Sequence, residues 1–141
     1  MTATIQAVKV AAAAVISTIT SASGRQVTGY AYPPGTAEAP AAIVTMGEGE
    51  FLTYRSSQNS RDLTLVIGVL IQAGDRESAF EELDAFLDDA GPQSIYAAFA
   101  ADPTMNGLID DISVVSASNY GEITYNGADY YGFELGVEVL L

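Results

Sequence analysis

Hydrophobic residues near the start of the chain recur at intervals of three and four positions, which is typical of one face of an amphipathic helix. They are Ile5, Val8, Ala12, Val15, Ile16 and Ile19. Thr2 or Thr4 is suited to cap the start of this helix, and Gly24 is suited to end it. The opposite face, which includes Lys9 and Ala13, is small and polar. It is predicted either to face solvent or to pack closely against a neighbour.

The next part of the chain alternates short strand candidates with residues that break regular structure. Strands are predicted at residues 26–32, 41–47, 50–56 and 62–72, and the proline-containing residues 33–40 form an extended connection. The strand at 62–72 has hydrophobic residues on both faces, so it is predicted to be central and buried on both sides. The segment from Arg55 to Arg61 is predicted to be a polar loop.

Two helices are predicted to open the second half. Asp75 caps the first of them, and its inner face carries hydrophobic residues at helical spacing. These are Phe80, Leu83, Leu87 and Ala90. Pro92 starts a short further helix, which ends before Pro103 because the residue preceding a proline avoids the α conformation. Strands are predicted to follow at about residues 108–117 and 122–126.

The last strand has the clearest alternation in the chain. Glu134 and Glu138 stand with two glycines on one face, and four hydrophobic residues stand on the other: Phe133, Leu135, Val137 and Val139. Asn126-Gly127 predicts a hairpin turn before it, with a loop extending through Ala128 or Asp129. Grouped helices and hairpin-connected strands predict a single α+β domain over residues 1–141. Its mostly antiparallel sheet packs with an N-terminal helix and a central pair of helices.

The chain has 141 residues and contains no Cys, His or Trp. This composition removes thiol nucleophiles, the usual general base near neutral pH and the common ligands of zinc. We therefore expect no cofactor, no metal and no enzymatic activity. The N-terminal apolar run is shorter than the ~20 residues of a membrane span. Lys9 interrupts it, so neither a membrane helix nor a signal peptide is predicted.

The net charge of −13 belongs entirely to the second half of the chain. Residues 1–76 contain five acids and all five bases, whereas residues 77–141 contain thirteen acids and no base. An acidic surface of this kind repels DNA and anionic membranes because it offers nothing to neutralise phosphates.

Arg55 and Arg61 bracket the predicted polar loop. They either keep a hairpin tip soluble or reach an acidic patch of an adjacent copy, and the division of charge favours the second interpretation. A partly basic half and an acidic half can meet head to tail, which generates a ring when the rotation closes. Both arginines are therefore candidate inter-subunit contacts.

Two chemical alternatives belong to another functional class. Residues 102–107 match the first half of a calcium-binding loop, but Ser113 stands where such a loop needs a bidentate Glu. Asp110 and Asp111 are adjacent, and neighbouring side chains diverge, so they do not by themselves form a hydrolytic carboxylate pair. A carboxylate-dependent hydrolase or a calcium-binding module remains an alternative.

Several local motifs together resemble the tail terminator (minor tail, tail-completion) proteins of long-tailed bacteriophages. The motifs are the Ala-rich opening helix, YAYPP at 30–34 leading to PAAIV at 40–44, the long strand entering an acidic helix, and FAADPTMNGLIDD at 99–111. The family often has a DPTL-GG-like turn between a helix and a strand with an acidic start. Met105-Asn106 departs from this pattern. The resemblance covers nearly the whole chain.

The resemblance implies a structural virion protein that forms a ring, usually of six copies, at the neck end of the tail. Such a ring caps the tail tube, ends its polymerisation and docks to the head-completion or connector protein. It assembles in the host cytoplasm and has no membrane partner. DNA passes through it without specific binding, and acids lining the lumen permit this. Candidate residues for that lumen, or for an acidic interface, are Asp110, Asp111, Glu134 and Glu138. A head–tail joining (neck) protein of the same fold is the alternative placement.

Overall fold

The computed structural model describes residues 4–21, 24–55, 60–72 and 75–141. They form a single α+β domain in which helices pack on one face of a six-stranded, mostly antiparallel sheet. The predicted fold class is confirmed. The elements, in chain order, are α1 (Ile5–Ile16), β1 (Thr28–Tyr30), β2 (Ala41–Met46), β3 (Leu52–Arg55), β4 (Ser60–Ile71), α2 (Arg76–Leu87), α3 (Ile95–Ala100), β5 (Asp111–Tyr125) and β6 (Ala128–Leu140).

Helix α1 begins as predicted but ends earlier than predicted. The Thr4 side chain accepts a hydrogen bond from Ala7 N and caps the helix, as predicted, while Thr2 lies outside the described residues. The helix ends at Ile16, well before Gly24. Lys9 and Ala13 are buried, so the face predicted as small and polar is not a solvent face. It packs within the chain, against β1.

A glycine allows this close packing of α1 on β1. A Cβ atom on Gly29 would lie 2.2 Å from Ala13 O and 2.6 Å from Ser17 Oγ. The Ser17 hydroxyl donates to Ala13 O at 2.8 Å and accepts from Gly29 N at 3.0 Å. The helix therefore contacts the strand backbone directly, with a side-chain hydroxyl bridging the two.

Strand β4 lies at the centre of the sheet, as predicted, but the prediction that it is buried on both sides is wrong, because Thr64, Val66 and Gly68 on one side are only half-buried. The sheet order is β1-β2-β4-β6-β5, and β3 pairs with β4 on the same side as β2. Gly47 N donates to Thr64 O, and Thr64 N donates to Phe51 O. β2 and β3 therefore pair one after the other along the same edge of β4, and a short loop at residues 48–50 separates them. The predicted polar loop is shorter than expected, because the strands reach Arg55 and resume at Ser60; its middle, 56–59, lies outside the described residues.

Helix α2 starts as predicted but presents a different face to the core. The Asp75 side chain accepts from Ser78 N and caps the helix. Its buried residues are Ala79, Glu82, Leu83 and Phe86. Phe80 and Leu87 are only partly buried, and Ala90 is exposed beyond the helix end. The buried face of α2 is rotated relative to the prediction, because Phe80 packs sideways onto Tyr120 and Tyr131 at the sheet surface.

Pro92 lies in the turn before α3, whose N-terminal cap is Ser94. The prediction that Pro92 is the first helical residue is therefore wrong.

The two strands predicted at about 108–117 and 122–126 are one strand, β5, with two bulges. Its register with β6 shifts between Val114 and Ser116 and again between Ser118 and Gly121. Each shift adds one residue on the β5 side. Asn126 and Gly127 have φ of 48° and 83° and form the whole hairpin turn, so the longer loop expected there is wrong. Two positive φ values are what a two-residue type I′ turn requires.

Candidate functional site: the open acidic face of the sheet

The sheet has two unlike faces. One is covered by the helices and holds the main hydrophobic core, including Leu65, Ile67, Phe133 and Val137. The other face is covered only near the β5–β6 hairpin, where the connection at 33–40 lies across it. There the Tyr130 hydroxyl donates a hydrogen bond to Ala37 O at 3.3 Å. Tyr130 belongs to a small buried hydrophobic cluster with Ala37, Ala41, Ile43 and Leu70. We call the remaining, uncovered part of this second face the open face.

Small and acidic residues dominate the open face. Alternation along paired strands places a residue and its register partners on the same side. Glu138 lies between Thr64 of β4 and Ser113 of β5, and Glu134 lies between Gly68 and Ser118. The open-face positions of these three strands are Asp62, Thr64, Val66 and Gly68 on β4, Gly132, Glu134, Gly136, Glu138 and Leu140 on β6, and Asp111, Ser113, Ser116 and Ser118 on β5.

Glu134 and Glu138 differ in their surroundings. Glu138 is exposed, whereas Glu134 is half-buried and its Oε1 accepts from Asn119 Nδ2 at 3.0 Å. Asn119 has a positive φ of 56° and lies within the second bulge of β5. Four residues of strand separate the two glutamates, which corresponds to about 13 Å. They form a spaced row of charge and not a converging pair.

The structure brings together three of the four acids singled out in the sequence. Asp111 pairs with Leu140 and shares the open face with Glu134 and Glu138. Asp110 precedes the strand and is exposed in the turn, where its N–H donates to Leu140 O at 2.9 Å. Asp62 joins the face from β4, opposite Leu140. The sequence pattern contained this signal, because Asp62 alternates in phase with Val66.

No Lys or Arg of the described strands β4, β5 and β6 shares the open face with these acids. Arg61 alternates with Asp62 and pairs with Tyr54, which puts it on the helix-covered side. Arg55 ends β3 and pairs with Ser60. Because Ser60 alternates in phase with Asp62, the position of Arg55 belongs to the open-face side of the sheet, whereas that of Arg61 belongs to the helix-covered side. On β4, β5 and β6, the open-face positions carry carboxylates without a compensating cation.

The segment that resembles half of a calcium loop uses its polar groups internally. The Asp102 side chain accepts from Asn106 N at 3.0 Å, and Thr104 Oγ1 accepts from Gly107 N at 3.2 Å. Met105, Asn106 and Gly107 have positive φ values, and the Met105 side chain is buried. The segment is a tight turn that anchors itself in the core. Among the described residues, no three acidic side chains gather as a metal-binding group.

Comparisons with protein-family models and with curated protein sequences found no match to this chain. Within the part of the chain that the structure describes, no helix is long and apolar enough to cross a membrane.

Proposed function

We propose that this chain is a structural virion protein: the tail terminator of a long-tailed bacteriophage. In this role, copies of the chain form a ring, of six copies as the resemblance implies. The ring caps the tail tube, stops its polymerisation and docks to the head-completion or connector protein. The open acidic face lines the passage for DNA. The chain works by assembling, without a cofactor and without catalysis.

The observation that carries the proposal is the open face itself. On strands β4, β5 and β6, the described positions of this face carry acids, serines and glycines together with Thr64, Val66 and Leu140, and no Lys or Arg. Glu134, Glu138 and Asp111 share that area. The carboxylates of these three strands repel DNA phosphates. An anionic surface of small residues therefore suits a wall along which DNA moves without sticking.

The motif resemblance supports the same role from the sequence side. Its most characteristic segment, residues 99–111, links α3 to the start of β5. This segment delivers Asp111 to the open face, so the motif and the proposed DNA-facing surface meet at one position. Arg55 and Arg61 remain candidate inter-subunit contacts at the far end of the β3–β4 ladder.

Deleting the gene tests the terminator role. A phage that lacks it is expected to make tails of uncontrolled length, measured as the length distribution of tails in electron micrographs, and supplying the gene in trans is expected to restore a single length. Tails of normal length in the deletion would refute the assignment. Immunolabelling of head-free tails separates the neck alternative, since a terminator stays on isolated tails and a head–tail joining protein does not.

Reversing charge on the open face tests the proposed lumen. The variant Glu134→Lys/Glu138→Lys is expected to retain double-stranded DNA in a gel-shift assay at low salt and to release it as salt rises. The matched control Glu48→Lys/Glu50→Lys makes the same change in charge on the exposed loop between β2 and β3. Equal retention by both variants, when both keep the wild-type melting temperature, would show that position on this face does not matter.

A further inference from the structure

A small cavity lies where the covered part of the second sheet face meets the open face. At its floor is Gly68 of the central strand β4, which pairs with Ile43 on one side and with Glu134 on the other. An added Cβ atom on Gly68 would meet nothing within 4 Å, so the missing side chain leaves open space between these two neighbours. The cavity has a volume of about 220 Å³. The aliphatic side chains that line it are Ile43, Val66, Leu70 and Ile123.

The polar groups of the cavity favour a ligand that donates hydrogen bonds. The two hydroxyls among the described lining residues, on Thr45 and Tyr125, both donate to backbone carbonyls of the chain. Each hydroxyl has one hydrogen, so neither is left to donate to a ligand. The Glu134 carboxylate accepts one hydrogen bond, from Asn119, and an ionised carboxylate has about four lone-pair sites. Acceptor capacity therefore remains at Glu134.

The charge of Glu134 is not compensated within the described part of the chain. No Lys or Arg of the described residues forms an ion pair with it. The side chain is half-buried, and charges interact more strongly in such a place than in bulk water. The other described residues of the lining are uncharged. The cavity therefore attracts a cation with an apolar body and repels an anion.

We infer that this cavity binds a small primary alkylammonium ion. The ammonium group donates to the Glu134 carboxylate, and the hydrocarbon stem lies against Ile43, Val66 and Ile123. An apolar cavity of roughly 150 Å³ holds a benzene molecule, so this slightly larger one holds a ligand of about six to eight non-hydrogen atoms. A second copy of the chain does not supply the ammonium group, because Lys9 is the single lysine and is buried. The cavity lies within one copy, so binding does not depend on the proposed ring.

An NMR titration of the isotope-labelled protein with pentylammonium chloride tests the site. The expected result is a saturable shift of backbone amide signals, largest at Ile43, Gly68 and Glu134. The dissociation constant is expected to be on the order of 1 mM, as for other ligands of this size. Pentanol and pentanoate keep the stem and replace the ammonium group, and both should bind at least about tenfold more weakly. Sodium chloride at equal ionic strength should cause no such shifts.

Two kinds of variant separate the charge of the cavity from its shape. Glu134→Gln keeps the size of the side chain and removes the charge, and it should weaken pentylammonium binding about tenfold. The matched control Glu138→Gln removes the same charge from an exposed position of the same face and should leave the dissociation constant unchanged. Gly68→Val fills the cavity while Glu134 stays in place, and it should abolish binding. Gly68→Ala, for which the position has room, is the smaller filling and should weaken binding in part.

Several outcomes would overturn the inference. Equal weakening in Glu134→Gln and Glu138→Gln would show a general attraction to the acidic face. Unchanged binding in both Gly68 variants, at the melting temperature of the wild type, would show that the ligand lies elsewhere. Equal affinity for the amine, the alcohol and the acid would remove the role of the carboxylate. Each of these results would leave the proposed tail function standing, and normal tails in the gene deletion would leave the cavity assignment standing.

Discussion

Tyr120 joins the bulged strand β5 to helix α2 through a single side chain. Its hydroxyl donates to Asp84 Oδ1 at 2.7 Å, and its ring stacks on Phe80 with centroids 5.3 Å apart. The hydrogen bond to Asp84 is the main cause that raises the pKa of Tyr120 to about 12, followed by desolvation and by repulsion between the Asp84 charge and a phenolate. The alternation of hydrophobic residues did not indicate this contact, because the second bulge turns Tyr120 towards α2.

Replacing Tyr120 with Phe should remove a step near pH 12 from a spectroscopic titration of the protein. The ordinary pKa of 10.0 is that of the unfolded chain, and the folded value is higher. The stability that this contact contributes is therefore fully present below pH 10 and is lost as the pH rises through about 12. The difference in unfolding free energy between wild type and Tyr120→Phe should shrink over the same range.

Two variants sharpen the titration. Asp84→Asn keeps an acceptor and removes the charge, so it should move the pKa of Tyr120 back towards its ordinary value. Tyr54→Phe, at a tyrosine that is 71% exposed, should leave the step near pH 12 in place. A step near pH 12 that survives in Tyr120→Phe would contradict the role assigned to this hydrogen bond.

Elements with a sustained hydrophobic period were predictable, and elements interrupted by backbone irregularity were not. The central strand β4 and the alternating strand β6 follow from their patterns, because burial of one or both faces dictates every second residue. The bulges of β5 break the period of two, which made one strand resemble two. The small residues of α1 allowed for close packing, but its partner β1 was not identified, because a glycine that admits a neighbouring backbone leaves no mark in a hydrophobic pattern.

Gly29→Ala should destabilise the protein by about 1–3 kcal/mol through overpacking. The added methyl group would meet the backbone carbonyl of Ala13, which cannot move without displacing α1 from the sheet. The matched control is Gly68→Ala, also in a strand, where an added Cβ meets nothing within 4 Å. Chemical denaturation measures both.

The two substitutions should differ clearly in sign or size. Gly68→Ala is expected to be neutral or slightly stabilising, because alanine lowers the conformational entropy of the unfolded chain. Equal losses in both variants would mean that the Gly29 contact does not determine how α1 packs.

At the scale of the whole molecule, charge and architecture coincide. The acidic second half of the chain supplies β5, β6 and α2, and the half that contains every base supplies α1 and β1 at the other edge. The sequence predicted that Glu134 and Glu138 share a face, since alternation in a regular strand is reliable. It could not predict that this face is left open, because covering a sheet depends on where distant helices and connections pack. Asp110 falls outside the face because a turn, and not a strand, determines its direction.

The most direct test of the central claim is an electron-microscopy reconstruction of the purified chain, alone at high concentration and added to head-free tails. The proposed terminator role predicts a closed ring with an open centre, bound at the head-proximal end of the tail, with the face that carries Glu134 and Glu138 turned towards the centre. Particles that stay monomeric and add no density to either end of the tail would contradict it.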